Sequence, residues 1–131
     1  MTRIYFARAI AAALLGLTLT GPVRADIKDY EFQLVQSEVK EGDAVVAVRL
    51  VDKRTGKPTP NAVIFAKRID MAPDGMETMT STLEDMPSTE PGVYRFKTKL
   101  TMAGGWRLSL GAKVQGETGT LENKLVFKAI K

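Results

Sequence analysis

The chain has 131 residues, with 19 Lys or Arg against 15 Asp or Glu, a net charge of +4, and neither Cys nor His. The two missing residue types exclude disulfides, zinc sites of the usual kind, and catalysis by an imidazole or a thiolate. Three of the basic residues and no acidic residue precede position 26, so the remainder carries +1. That balance does not indicate a nucleic-acid partner, which needs a concentrated basic face.

The first 25 residues have the features of a cleavable signal peptide. Two arginines form a basic start, and an apolar run follows at 9–19. This run is shorter than the roughly 20 residues of a membrane span. Pro22 and the small residue Ala25 fit a signal-peptidase site. We expect the mature chain to begin at Asp26 and to form one domain over 26–131, and an uncleaved membrane anchor is the alternative.

From Asp29 onward, short segments of alternating apolar and polar residues are separated by turn residues, a pattern typical of an all-β sandwich. The alternation is clearest where Tyr94, Phe96 and Leu100 are interleaved with three cations. The pattern predicts about seven strands, at 29–37, 44–52, 61–69, about 77–83, 92–100, 105–114 and 120–130.

The strand order predicts where the methionines lie. Successive strands of such a sandwich run in opposite directions, so the first–second, third–fourth and fifth–sixth connections share one end. Met71 and Met76 fall on the third–fourth connection, and Met102 falls on the fifth–sixth. Met79 lies just inside the fourth strand, whereas Met86 is expected at the opposite end. This placement depends on the fourth strand being formed.

The segment 70–90 is the most informative part of the chain. It holds four of the five methionines that follow the signal peptide and no Lys or Arg. It also holds six carboxylates: Asp70, Asp74, Glu77, Glu84, Asp85 and Glu90. Thioether ligands select Cu(I) over hard metals, so neutral sulfur atoms in a negative field suit a soft monovalent cation.

The sequence therefore predicts a Cu(I) or Ag(I) site with Met71, Met76 and Met102 as ligands and Met79 as a possible fourth. Asp74 and Glu77 would supply negative potential. The three ligands are expected on loops, where apolar bulk has no core to fill. The alternatives are a plastic apolar surface on a solvated acidic loop and a set of methionines that is oxidised sacrificially.

Other candidate residues are interpreted as structural. Asp74-Gly75 is a turn signal, and no D-x-D-x-D-G calcium loop is present. The approach to Tyr94 resembles a tyrosine corner, in which the phenol bonds to the backbone, and Trp106 is expected in the core. No constellation of residues suggests a catalytic site, so we expect no enzymatic activity.

The motifs from Ala44 onward resemble those of YtkA-like domains, which are related to FixH-like proteins. The resemblance covers about 80 residues from Ala44 onward and rests on Gly56-Lys57-Pro58, Met71/Met76/Met79, Gly92-Val93-Tyr94, and Met102-Ala103-Gly104-Gly105-Trp106. It implies an immunoglobulin-like sandwich in the bacterial periplasm, in a group often associated with heavy-metal efflux or copper-oxidase assembly. The methionine segment of such domains frequently carries His, which is absent here, so thioether-only binding of reduced copper or silver is expected.

The predicted function is thus that of a periplasmic accessory that binds Cu(I) or Ag(I) for export or delivery. No organic cofactor, no nucleic acid and no membrane span after signal cleavage are expected. The partner would be a periplasmic component of a metal efflux or copper-delivery system. The alternative is a metal-free interaction module that docks a partner through the acidic, methionine-rich loop.

Overall fold

The strands form two sheets that pack face to face in the computed structural model, which describes residues 26–131. The predicted signal peptide lies outside these residues. The strands are β1 (Tyr30–Leu34), β2 (Glu38–Lys40), β3 (Gly42–Asp52), β4 (Lys57–Pro58), β5 (Val63–Met71), β6 (Met76–Ser81), β7 (Leu83–Met86), β8 (Val93–Leu100), β9 (Gly104–Lys113) and β10 (Leu121–Ile130). Short 3₁₀ helices span Ile27–Asp29 and Ala72–Asp74. The predicted all-β sandwich is confirmed.

The first sheet has the order β1-β3-β8-β7, with β4 paired to β3, and the second has the order β2-β10-β9-β5-β6. The pairs are antiparallel except β2 with β10. The alternation predicted along β8 is confirmed, since Phe96 and Leu100 are buried and the cations between them are exposed. The two inner faces together form one hydrophobic core.

Trp106 lies in the centre of this core and is fully buried. Its indole N–H donates to the carbonyl of Met102 at 3.1 Å, which satisfies the polar group of a buried aromatic side chain. Its predicted structural role is confirmed.

One predicted strand is shorter in the structure, and another is divided. The predicted strand 29–37 ends as β1 at Leu34, and the chain then crosses to the second sheet, where β2 runs parallel to β10. The predicted strand at about 77–83 is formed, but it changes sheets at Thr82. Its first part, β6, pairs with β5, and its second part, β7, pairs with β8. Alternation of apolar and polar residues predicts a strand, but it does not show with which neighbouring strand its backbone hydrogen bonds form.

The predicted common end of the sandwich is confirmed by the register of the strands. Gly42, which begins β3, is opposite Leu100, which ends β8. Asp70, near the end of β5, is opposite Arg107, near the start of β9. We call this end, with the connections 72–75 and 101–103, the methionine pole. Met86 is opposite Arg95 near the start of β8, at the other end of the molecule, as predicted.

Within the part of the chain that the structure describes, no helix has the length and apolar character needed to cross a membrane.

Candidate metal centre at the methionine pole

A hydrogen bond ties together the two connections that form the methionine pole. After β5 the chain makes the 3₁₀ helix Ala72–Asp74, which ends at Gly75 in the left-handed conformation with φ 76°. The predicted Asp74-Gly75 turn is therefore confirmed. The Asp74 carboxylate accepts the backbone N–H of Gly105 at 3.1 Å. This contact holds the third–fourth connection of the sequence prediction against the start of β9.

Gly104 makes close packing at this contact possible. Its φ of 139° is one that side-chain-bearing residues rarely adopt. A Cβ atom at Gly104 would collide with the Asp74 carboxylate and would lie 2.9 Å from Cε of Met71. The missing side chain therefore leaves the space into which the tip of Met71 extends, two residues from Met102.

Met71 and Met76 occupy facing positions where β5 meets β6, next to a register shift between Asp70 and Met71. Met71 is fully buried in the hydrophobic core, and Met76 is half-buried against the same core. The expectation that both lie on loops without a core to fill is therefore wrong. Met71 is the last residue of β5 and shares the inward face with the buried Ile69, so it packs as a core side chain.

Met79 and Met102 are the exposed methionines of the predicted site. Met79 lies on the edge strand β6 with 37 % of its surface exposed, and Met102 lies on the turn before β9 with 39 % exposed. The bond from Trp106 to the Met102 carbonyl fixes the backbone of that turn. The pole therefore brings together Met71, Met76 and the turn that carries Met102, and Met79 follows Met76 along the edge strand.

The interpretation of the carboxylates as one solvated loop is wrong for Asp70. This side chain is fully buried on the outer face of the second sheet. Its Oδ2 accepts from Arg68 Nε at 2.9 Å and from Arg107 Nη2 at 3.0 Å, and its Oδ1 accepts the N–H of Ala72 at 2.9 Å. Burial alone would raise the pKa of Asp70, but the Ala72 N–H and the two guanidinium groups together hold that pKa below its usual value.

Other acidic residues of the segment are also engaged. Asp74 accepts the Gly105 N–H, and Asp85 forms an ion pair with Lys67 at 2.8 Å. Within residues 26–131, three carboxylates of the segment are exposed and form neither an ion pair nor a side-chain bond to the other pole connection: Glu77, Glu84 and Glu90. The negative field at the pole is weaker than the sequence predicted, because Arg68 and Arg107 pair with Asp70 there.

The cluster of Arg68, Asp70 and Arg107 was missed at the sequence level. The i, i+2 spacing of Arg68 and Asp70 on one strand places both on the same face. Arg68 also donates to the carbonyl of Glu77 at 2.7 Å. The cluster thereby links β5, β6 and β9 immediately beside Met71. Arg107 joins the cluster from β9, and no local pattern in the sequence indicates this contact.

The phenol of Tyr94 bonds to the backbone, as predicted. It donates to the carbonyl of Thr59 at 2.9 Å and accepts the N–H of Ala62 at 3.1 Å. These bonds fix the long connection between β3 and β5 at the end opposite the methionine pole. A groove of about 520 Å³ at that end is lined by Met86 and Tyr94 among others.

The fold and the site together define the class of this domain: it is an immunoglobulin-like β-sandwich that carries methionines at one end. More specifically, the chain belongs to the YtkA-like family, whose sequence model matches residues 24–111. A search of curated proteins finds no match.

Among solved structures, the fold is similar to that of a DUF4426 family protein from Pseudomonas aeruginosa PAO1. The TM-score is 0.54 at 12 % identity, over 77 % of this chain and 88 % of that one. Weaker similarity is found to the Lin-41 filamin domain, with a TM-score of 0.44 at 19 % identity over 85 % of this chain and 98 % of that one. At these identities the likeness concerns the fold alone.

Proposed function

We propose that this YtkA-like domain is an exported, periplasmic and non-enzymatic protein that binds Cu(I) or Ag(I) through thioethers at its methionine pole. It would act as an accessory to metal export or copper delivery, with a periplasmic component of such a system as its partner. The observation that supports this proposal is the convergence of Met71, Met76 and the Met102 turn at one end of the sandwich.

The four proposed ligands differ in exposure, which suits a cargo that must enter and leave. Met79 and Met102 are exposed and would meet the ion first. Met76 is half-buried, and Met71 would contribute from the core side. Soft sulfur ligands discriminate against the hard cations of the medium. Because thioethers carry no proton to lose, binding is expected to persist in mildly acidic solution.

The acidic residues have different roles in this proposal. Asp74 positions the pole through its bond to Gly105, so it acts on the backbone rather than on the ion. Glu77 is exposed beside Met76 and supplies the local negative potential. The alternative, a metal-free module docking through the acidic loop, is supported by the exposure of Met79 and Met102. The internal pairing of Asp70 and Asp85 weighs against it.

Titration of the protein with Cu(I) against a competing chelator tests the proposal. We expect Met76→Leu combined with Met102→Leu to weaken Cu(I) binding by about 100-fold or more, since even loss of an outer-shell partner costs about 10–100-fold in metal affinity. Met and Leu have similar volumes, so the fold should survive the exchange.

Met86→Leu is the matched control, because it makes the same exchange at the opposite end of the molecule. It should leave the affinity unchanged. Equal affinity in the double variant and the unaltered protein would exclude a thioether site at this pole and leave the docking alternative.

A further inference from the structure

The outer face of the second sheet carries more cations than carboxylates. The strand register assigns to this face six cations and three carboxylates. The cations are Lys40, Arg68, Arg107, Lys113, Lys124 and Lys128, and the carboxylates are Glu38, Asp70 and Glu122. Asp70 is already neutralised by Arg68 and Arg107. Within residues 26–131 the four lysines form no ion pair, so their charge is available to an external anionic surface.

The same face exposes large apolar side chains. Val63 is 63 % exposed, Val126 is 58 % exposed, and Phe65 is 55 % exposed. Ile130 is 37 % exposed. Apolar residues at such exposure on one sheet face favour contact with something other than water.

A β-bulge places Phe65 on this face. The register between β5 and β9 shifts between Ile64 and Ala66, so Phe65 is the extra residue. Its ring lies over Gly111, where a Cβ atom would be 3.4 Å from the ring and 3.3 Å from Cβ of Ala66. The bulge and the glycine on the neighbouring strand together hold an aromatic ring on the outer surface. Some other apolar residues of β5 are instead buried in the core.

The distribution of these residues distinguishes between two kinds of anionic partner. Protein interfaces have an apolar centre and a polar rim. Here the centre of the face holds Ser109, between the cations Arg68 and Lys124, and Gly111, between Ala66 and Glu122. The large apolar residues lie on the flanking strands β5 and β10. Cations interspersed with separate apolar side chains are typical of binding at a lipid headgroup layer.

We propose that the outer face of the second sheet docks on an anionic phospholipid bilayer. The lysines contact lipid phosphates, while Phe65, Val63 and Val126 enter the headgroup region. The strands then lie along the membrane plane, and the domain needs no spanning segment for this contact.

Co-sedimentation of the purified protein with lipid vesicles tests this proposal. We expect binding to vesicles that contain phosphatidylglycerol, weakened by salt, above a baseline set by pure phosphatidylcholine vesicles. Lys124→Gln combined with Lys128→Gln should lower the partition coefficient by about 30-fold, the effect of two cations near an anionic leaflet. Phe65→Ser should also weaken binding.

Lys97→Gln combined with Lys99→Gln is the matched control, because it removes the same charge from the outer face of the other sheet. Val35→Ser is the control for Phe65, since Val35 is an exposed apolar residue outside the proposed face. Both controls should bind like the unaltered protein. The proposal is overturned if phosphatidylglycerol has no effect, or if the control pair loses as much binding. It is also overturned if the lysines bind an acidic polypeptide while vesicles are not bound.

Discussion

Asp70 shows how a single residue can change role between sequence and structure. In the sequence it opens an acidic segment, but in the fold it is a buried carboxylate held by two arginines and one backbone N–H. A buried charge is tolerated only when it is paired and hydrogen-bonded, and this one is. Because Ala72 begins the 3₁₀ helix of the pole, the same carboxylate also fixes the start of the connection beside Met71.

We expect Asp70→Asn to lower the free energy of unfolding by about 2 kcal/mol at neutral pH, because it leaves two arginines beside a neutral side chain. Asp85→Asn is the control: Asp85 is largely exposed in its pair with Lys67, and such pairs contribute about 0–1 kcal/mol. Urea denaturation measures both variants. Equal losses would contradict the structural role assigned to Asp70.

The effect of Asp70 should also depend on pH. Its pKa in the folded protein is lowered, so it stabilises the fold above the unfolded-state value of about 3.9. That stabilisation is lost as the pH falls through the folded-state pKa. The difference in stability between the unaltered protein and Asp70→Asn should therefore shrink below about pH 4, and a difference that stays constant there would contradict the account.

At the scale of secondary-structure elements, the methionine pole depends on the contact between the helix Ala72–Asp74 and the start of β9. Asp74 supplies the acceptor, Gly105 supplies the donor, and Gly104 leaves space for the tip of Met71. Substitution at Gly104 therefore tests whether this contact fixes the pole.

Gly104→Ala should lower the free energy of unfolding by about 2–3 kcal/mol, because it combines backbone strain with a clash against Asp74 and Met71. Gly116→Ala is the matched control, since Gly116 also has a positive φ, 88°, but a Cβ atom there would meet no atom within 4 Å. It should cost only the strain, about 1 kcal/mol. If urea denaturation shows the same loss for both, packing at Gly104 does not hold the pole.

Local alternation was sufficient to predict most of the strands and the buried Trp106, and the resemblance to a tyrosine corner was sufficient to predict the backbone-bonded Tyr94. It could not predict that the strand after Gly75 changes sheets, because pairing is set by neighbours distant in the sequence. The same limitation explains Met71. Alternation places Met71 on the inward face, because it lies two residues after the buried Ile69 on the same strand. Whether the end of a strand is buried, however, depends on how the next connection packs against it.

At the scale of the whole molecule, the two ends and the two outer faces of the sandwich have different properties. The methionine pole holds Met71, Met76 and the turn that carries Met102, the opposite end is fixed by Tyr94, and the outer face of the second sheet is basic. This division fits a domain that binds a metal at one end and docks through one face. The membrane proposal and the metal proposal rest on different residues, so either can fail alone.

X-ray absorption spectroscopy of the Cu(I)-loaded protein tests the central claim most directly. The account predicts a first shell made of sulfur atoms, which disappears in the Met76→Leu and Met102→Leu double variant and persists in Met86→Leu. A first shell of oxygen or nitrogen atoms, or a sulfur shell unchanged in the double variant, would contradict a thioether centre at the methionine pole.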